Sequence, residues 1–271
     1  MAYLDSFYYQ ITGPEQGRRW VFVHGLMGFG GNWRKIVSAL EGTERVLVFD
    51  QRGHGRSFKP ATGYTPEDYS EDINRITEEL GWDQFILVGH SMGGRNALNF
   101  AFRHPEKLIK LIIEDIGPQS APGIVEYYEN LLGLVPTPFP NRAAAREFFQ
   151  KDFLEIAKTR DKVQVLAQFF YANIEDKPDG TADWRFSKAG ILRSVLEGRL
   201  RDRWQEVESL QIPTLWIRGQ ESRELSRETF ERILHSNQLI RGVEIPNAGH
   251  WVHSEQPQLF TEAIKNFVGG F

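Results

Sequence analysis

The stretch Phe85-Ile86-Leu87-Val88-Gly89-His90-Ser91-Met92-Gly93-Gly94 decides how this chain is read. Four apolar residues predict a buried strand. Ala97, Leu98 and Ala101 then recur at helical spacing. Between strand and helix stands a serine flanked by glycines, the strand–turn–helix context that gives G-x-S-x-G its meaning. A side chain at Gly89 or Gly93 would crowd the crossing of strand and helix, where only glycine lacks a Cβ. The turn lifts the Ser91 hydroxyl clear of the sheet, beside helix N–H groups that favour developing negative charge. Ser91 is therefore a candidate nucleophile.

Working outward, the 271 residues fit one large α/β domain or a domain carrying an insertion. Aliphatic and aromatic residues make up 41% of the chain, enough for a full core. The net charge of −4 comes with both signs mixed along the sequence, which argues against a nucleic-acid partner. The chain has no cysteine, so disulfides, thiolate metal sites and cysteine nucleophiles are excluded. No apolar run approaches the roughly 20 residues of a membrane span. Met1 to Gln10 has no basic region or long apolar run. The expectation is a soluble, cytoplasmic protein.

Strand and helix patterns alternate along the chain. Phe7 to Ile11 and Trp20 to Val23 read as strands on either side of a turn at Gly13 to Gly17. His24-Gly25-Leu26-Met27-Gly28 follows, and this glycine-rich strand end reads as half of an oxyanion hole with the Leu26 N–H as donor. Asn32 is expected to cap a helix whose apolar face is Trp33, Ile36, Val37 and Leu40. The strand Arg45 to Phe49 runs into Asp50 to Ser57, where Asp50 and Arg52 are read as holding neighbouring loops. Thr65-Pro66-Glu67-Asp68 opens a helix, and Leu108 to Ile113 is a strand ending in Glu114-Asp115. From about Ser120 to Val207 strands vanish and helical patterns rich in Phe take over. This predicts a helical cap inserted in the main sheet, with its aromatics read chiefly as the cap's own core. The sheet resumes at Thr214 to Gly219 and Arg241 to Ile245, and Gly249-His250 precedes a last helix. Such alternation means a mostly parallel sheet covered on both faces, with ligands bound beyond the carboxyl ends of the strands.

Taken together, His24-Gly25 after a strand, Asp50 to Ser57, the Gly89 to Gly94 elbow, the cap position and Gly249-His250 resemble the α/β-hydrolase fold family over nearly the whole chain. The resemblance implies an eight-stranded-type, mostly parallel sheet. Its core is residues 1–119 and 208–271, with residues 120–207 as the helical cap. It implies Ser91 as nucleophile, His250 as general base and the N–H groups of Leu26 and Met92 as the oxyanion hole. His253 is the only other histidine that competes with His250. The acid departs from the common pattern. Most relatives carry an aspartate after the strand that follows the cap, where this chain has Ser222. A smaller set places the acid one strand earlier, where Asp115 stands. Asp115 is the expected acid, with Glu221 and Glu224 as alternatives.

The expected function is a serine hydrolase of small carboxylic esters or acyl thioesters, with a small-molecule acyl substrate and no metal or organic cofactor. A serine hydroxyl needs a histidine to take its proton, and that histidine needs a carboxylate to fix its tautomer. Serine at the elbow argues against dehalogenase and epoxide-hydrolase chemistry, which in this fold normally use an aspartate there. Carbon–carbon bond hydrolysis, cofactor-free haloperoxidation and a non-catalytic small-molecule receptor remain as alternatives on the same residues. Arg193, Arg199, Arg201 and Arg203 could meet phosphates, but the acids among them favour a self-paired face. The oligomeric state is left open.

Overall fold

The structure, a computed structural model, describes residues 2–121, 123–160 and 163–270. The chain opens with β1 (Tyr9–Thr12), β2 (Arg19–Val23), α1 (Arg34–Leu40), β3 (Arg45–Phe49) and α2 (Pro66–Glu79). The elbow strand β4 (Phe85–His90) runs into α3 (Met92–Arg103), followed by β5 (Leu108–Glu114). Then come α4 (Ile124–Gly133), α5 (Arg142–Gln150), α6 (Asp152–Ile156), α7 (Val163–Ala172), the short strands β6 (Ile174–Asp176) and β7 (Ala182–Trp184), α8 (Lys188–Gly198) and α9 (Trp204–Glu208). The chain finishes with β8 (Thr214–Gly219), α10 (Arg227–Ser236), β9 (Ile240–Ile245), α11 (Val252–Glu255) and α12 (Pro257–Gly269).

The main sheet has the order β1-β3-β2-β4-β5-β8-β9. Only β1 runs antiparallel, against β3, and every other pairing is parallel. The described residues give this sheet seven strands rather than eight. Strand periodicity builds two cores. Val21, Val23, Leu47, Leu87, Leu111, Ile113 and Trp216 face one side. Their alternating neighbours Trp20, Phe22, Val46, Val48, Ile86, Val88, Ile112, Leu215 and Ile217 face the other. Burial on both faces explains why β4 reads as an unbroken apolar run.

Helix α2 begins where the sequence says it should. Thr65 Oγ1 accepts the Asp68 N–H at 3.1 Å, Asp68 Oδ2 accepts the Thr65 N–H at 2.9 Å, and Pro66 occupies the first turn. Asn32 does not cap a long helix. It sits inside a 3₁₀ turn, Gly30–Trp33, and accepts the Phe29 N–H at 2.8 Å, while α1 starts at Arg34. Side-chain chemistry alone did not separate the tight turn from the helix it leads into.

Among the described residues, six helices and one antiparallel two-stranded sheet, β6 with β7, lie between β5 and β8. That hairpin departs from the strandless expectation. Each strand has three residues, too few to show an alternation, and the turn between them contains Gly180 at φ 86°. Phe149, Phe153, Phe170, Trp184 and Phe186 are buried in a cluster of their own that reaches Met27. The aromatics of this segment are therefore chiefly its own core, as the sequence suggested. Phe169 is different: its ring lies 5.6 Å from Trp251, directly after His250.

Candidate active site

Five adjacent strands, β2, β4, β5, β8 and β9, deliver their carboxyl ends to one place. The loops beyond them carry Leu26, Ser91, Asp115, Ser222 and His250 in turn. At the elbow Ser91 has φ 53° and ψ −119°, a backbone conformation that costs energy for a non-glycine residue. Its amide donates to Glu114 O at 2.9 Å. A Cβ on Gly89 would lie 2.6 Å from the Gly93 carbonyl carbon, and one on Gly93 would lie 2.5 Å from Val23 O. Strand and helix thus cross too closely for any side chain at either position.

Ser91 Oγ lies 2.9 Å from His250 Nε2, and His250 Nδ1 lies 2.8 Å from Asp115 Oδ2. With the Nδ1–H donated to the carboxylate, Nε2 is left as acceptor for the serine hydroxyl. Asp115 also sits in a left-handed backbone conformation, φ 52°, and is fully buried. Its Oδ1 accepts the Gly219 N–H at 3.0 Å, and its Oδ2 accepts the Ser222 hydroxyl at 2.5 Å. Burial opposes a charged His250, but the hydrogen bond and negative charge of Asp115 outweigh it and hold the imidazole above its ordinary range.

The Leu26 loop is held from behind. His24 is buried, its Nδ1 contacts Gly25 O at 2.8 Å, and its Nε2 accepts the Gln51 N–H at 3.0 Å. Gln51 Nε2 donates to His24 O at 2.7 Å, and Asn96 of α3 donates to Gln51 Oε1 at 2.9 Å. Burial drives the His24 pKa down to about 4, so it is a neutral strut. The Met92 N–H is the first of α3, where no intrahelical acceptor exists. Leu26, Ser91 and Met92 line one cleft.

The alternatives fall elsewhere. Glu224 Oε2 lies 3.5 Å from an Arg199 guanidinium nitrogen, and the Glu221 N–H donates to Ala248 O at 2.8 Å. Asp115, not either glutamate, holds the His250 ring. His253 is buried against Glu114, with Nδ1 2.8 Å from Oε2, and does not approach Ser91 through any described bond. Asp50 accepts the amides of Gly30 at 2.7 Å and Arg56 at 2.8 Å, and Arg52 Nε donates to Asp72 at 2.6 Å. His54 is buried with its Nδ1 2.9 Å from Arg52 O. Arg193, Arg201 and Arg203 meet Glu197, Glu67 and Glu206 respectively, so the arginine-rich face is self-paired.

Two features were not legible as site elements. Ser222 was visible only as the residue standing where an acid was expected, not as a donor to Asp115. Behind the triad-like array, His90 Nε2 donates to His250 O at 2.9 Å, and the His90 and His253 rings meet at 5.0 Å. His90, Glu114 and His253 place potential ligating atoms within 4.8 Å of one another. Glu114 and His253 already bond each other, and His90 Nε2 is used by His250 O, so the group reads as a support for the His250 loop.

The cleft has two arms meeting at Ser91. A narrow slot is lined by Tyr64, Tyr69, Arg95, Asn96, Ser194 and Arg199. A wider arm is lined by Tyr128, Leu131, Phe169, Glu221, Glu224 and Trp251. No helix among the described residues is long and apolar enough to cross a membrane.

Comparison with known proteins places this architecture. A putative esterase/lipase of Haemophilus influenzae is 29% identical over 250 residues, covering 92% of this chain and 82% of that protein. An sn-1-specific diacylglycerol lipase, ABHD11, of Mus musculus is 29% identical over 255 residues, covering 92% and 80%. A solved marine microorganism esterase superposes with a TM-score of 0.82 at 28% identity, covering 97% of this chain and 99% of that one. The sequence profile of the alpha/beta hydrolase fold matches residues 21–257. With that match on top of the sheet order and the elbow, this chain belongs to the alpha/beta hydrolase fold family, and it is a hydrolase.

Proposed function

We propose that this protein hydrolyses small carboxylic esters or acyl thioesters through an acyl-enzyme on Ser91. The hydrogen-bonded series Ser91–His250–Asp115, at 2.9 and 2.8 Å, carries the reading. His250 Nε2 takes the Ser91 proton as Oγ attacks the substrate carbonyl carbon. The amides of Leu26 and Met92 receive the oxyanion, a contribution whose loss typically costs about 100- to 1000-fold in rate. His250, its charge offset by Asp115, gives its proton to the leaving alkoxide or thiolate. Water then adds to the acyl carbon, losing a proton to Nε2, and the acid leaves as Ser91 recovers its proton. Residues 120–207 act in this reading as a cap over a core formed by residues 1–119 and 208–271. Every step is made by the side chains and amides named.

The test is hydrolysis of p-nitrophenyl esters of increasing acyl length by the native protein and by Ser91→Ala, with fluorophosphonate labelling of Ser91. Turnover of short esters that is lost in Ser91→Ala supports the proposal. No turnover together with an unlabelled Ser91 sinks it and favours a non-catalytic receptor on the same fold. Labelling without ester turnover points to carbon–carbon bond hydrolysis or haloperoxidase chemistry.

A further inference from the structure

Arg95 stands one helical turn beyond Ser91 on α3, with 3% of its surface exposed, and it lines the narrow slot. A buried charge is normally matched by an opposite one. Two arginines buried or nearly so beside it obey this, Arg203 against Glu206 at 2.5 Å and Arg199 against Glu224 at 3.5 Å. Arg95 does not: among the described residues no carboxylate bonds it. Its partners are main-chain carbonyls where the chain enters and leaves the helical segment. Nη1 donates to Gly117 O at 2.8 Å and Gln119 O at 2.9 Å. Nη2 reaches Pro118 O and Arg201 O only at 3.4 and 3.5 Å, and the Nε–H has no partner.

A guanidinium offers five N–H donors in a fixed plane. Here the two on Nη1 are well used. The Nε/Nη2 edge, whose paired donors match the two oxygens of a carboxylate, is left with one orphaned donor and two long contacts. The residues lining the slot include no Asp or Glu, and their charged members are Arg95 and Arg199. Glu206 and Asp202, the carboxylates whose charge Arg95 feels, are engaged with Arg203 and with the Ser120 amide. Burial and the nearby Arg199 and Arg203 bring the Arg95 pKa down to about 9, so the guanidinium is still charged at neutral pH and short of negative charge. The other arm carries Glu221, Glu224 and Glu255 with one arginine, Arg223, so carboxylates outnumber guanidinium groups there while the slot has no carboxylate.

Resting on the ester-hydrolase reading, we propose that the slot is a carboxylate subsite, and that the preferred substrates are esters bearing a second, ionised carboxyl group seated on the Nε/Nη2 edge of Arg95. The incoming carboxylate replaces the long contacts to Pro118 and Arg201 and supplies the missing countercharge. Tyr64, Tyr69, Ser194 and Asn96 give the slot its polar walls.

The experiment compares each charged ester with its uncharged methyl ester, so that the chain length and the position of the scissile ester are held constant. One series puts the charge on the acyl side: p-nitrophenyl hydrogen glutarate against its methyl ester. A second puts it on the alcohol side: 3-acetoxypropionate against its methyl ester. The native protein should favour the charged member of one series by at least about tenfold in kcat/KM, as expected for hydrogen bonds to a charged group. Arg95→Met should bring that ratio down by about the same factor, and Arg95→Lys, which keeps the charge but not the paired donors, should fall between. Should Arg95→Met fail to fold, competitive inhibition of the native protein serves, with glutaramate expected to bind at least about tenfold more tightly than pentanamide. Charged-to-neutral ratios at or below one in both series overturn the subsite and leave the ester-hydrolase reading standing. Loss of all ester turnover with Ser91 unlabelled overturns that reading instead.

Discussion

The Ser222 hydroxyl donates to Asp115 Oδ2 at 2.5 Å, the same oxygen that lies 2.8 Å from His250 Nδ1. The residue at the expected acid position thus donates to a carboxylate that the neighbouring strand places against His250. Asp115 follows β5 and Ser222 follows β8, and these strands are paired from Leu111 with Thr214 to Glu114 with Ile217. A carboxylate on either loop is within reach of the same histidine, and here the second loop contributes a donor.

Ser222→Ala should lower kcat/KM by about tenfold with little change in KM, since a hydrogen bond to a charged group contributes about 1.5–3 kcal/mol. Asp115→Asn should cost about 10⁴-fold in kcat, as loss of a triad acid does. Restoring a carboxylate one strand over, in Asp115→Asn/Ser222→Asp, should recover at least about tenfold of that loss. Steady-state kinetics on a short p-nitrophenyl ester reads all three. A double variant no better than Asp115→Asn would mean that the β8 loop cannot present an acid to His250.

The pH profile follows from the charge on His250. Asp115 holds the imidazole above its ordinary range, and in the proposed mechanism His250 must be unprotonated to act as the base. The acid limb of kcat/KM should therefore turn above the ordinary histidine value of about 6.5. In Asp115→Asn the remaining activity should turn at lower pH, because the stabilising charge is gone. An acid limb that moves upward instead would contradict the assignment.

His24 makes a stability prediction of opposite sense. Its pKa in the folded protein is about 4, below the roughly 6.5 of an unfolded chain. Between these values the unfolded chain binds a proton that the folded one refuses. Stability is therefore full above about pH 6.5 and is lost as the pH falls toward 4, by up to about 3 kcal/mol from this group. Urea denaturation across that range should show the slope, and His24→Gln should flatten it. An unchanged slope would show that other groups govern the acid limb.

Gly93→Ala should destabilise the fold by several kcal/mol or prevent folding. The new Cβ would press 2.5 Å from Val23 O and 2.6 Å from His24 O, both main-chain atoms at the end of β2 that cannot swing aside. Thermal or urea unfolding of the purified variant checks it. A Gly93→Ala protein of native stability would mean that the elbow is looser than its geometry implies.

Much of this molecule is legible along the chain. Alternation within Trp20-Val21-Phe22-Val23 and Arg45 to Phe49 assigns side chains to the two faces of the sheet, because a strand's period of two is a local property. The elbow is equally local: Gly89 and Gly93 bracket Ser91, and the strained turn is written within five residues. The three-residue strands β6 and β7 escaped because a period cannot be seen in so short a run. Asn32 misled because its side chain serves a 3₁₀ turn as readily as a helix start.

The partners of Ser91 were a different kind of question. Asp115 and His250 are 135 positions apart in sequence, and nothing local separates Asp115 from Glu221 or Glu224 as an acid. The order β4-β5-β8-β9 places the three loops side by side, and that order is set by packing of the whole sheet. The unsatisfied Nε–H of Arg95 is likewise invisible in the sequence, where the residue is one more cation on a helix. It emerges only when the loops at Gly117 to Gln119 and Arg201 close around it and bring no carboxylate with them. Sequence thus determined the elements and the strained turn at Ser91, through steric rules that act over a few residues. Tertiary structure decided which charges meet, because contact between distant residues depends on how the strands are ordered.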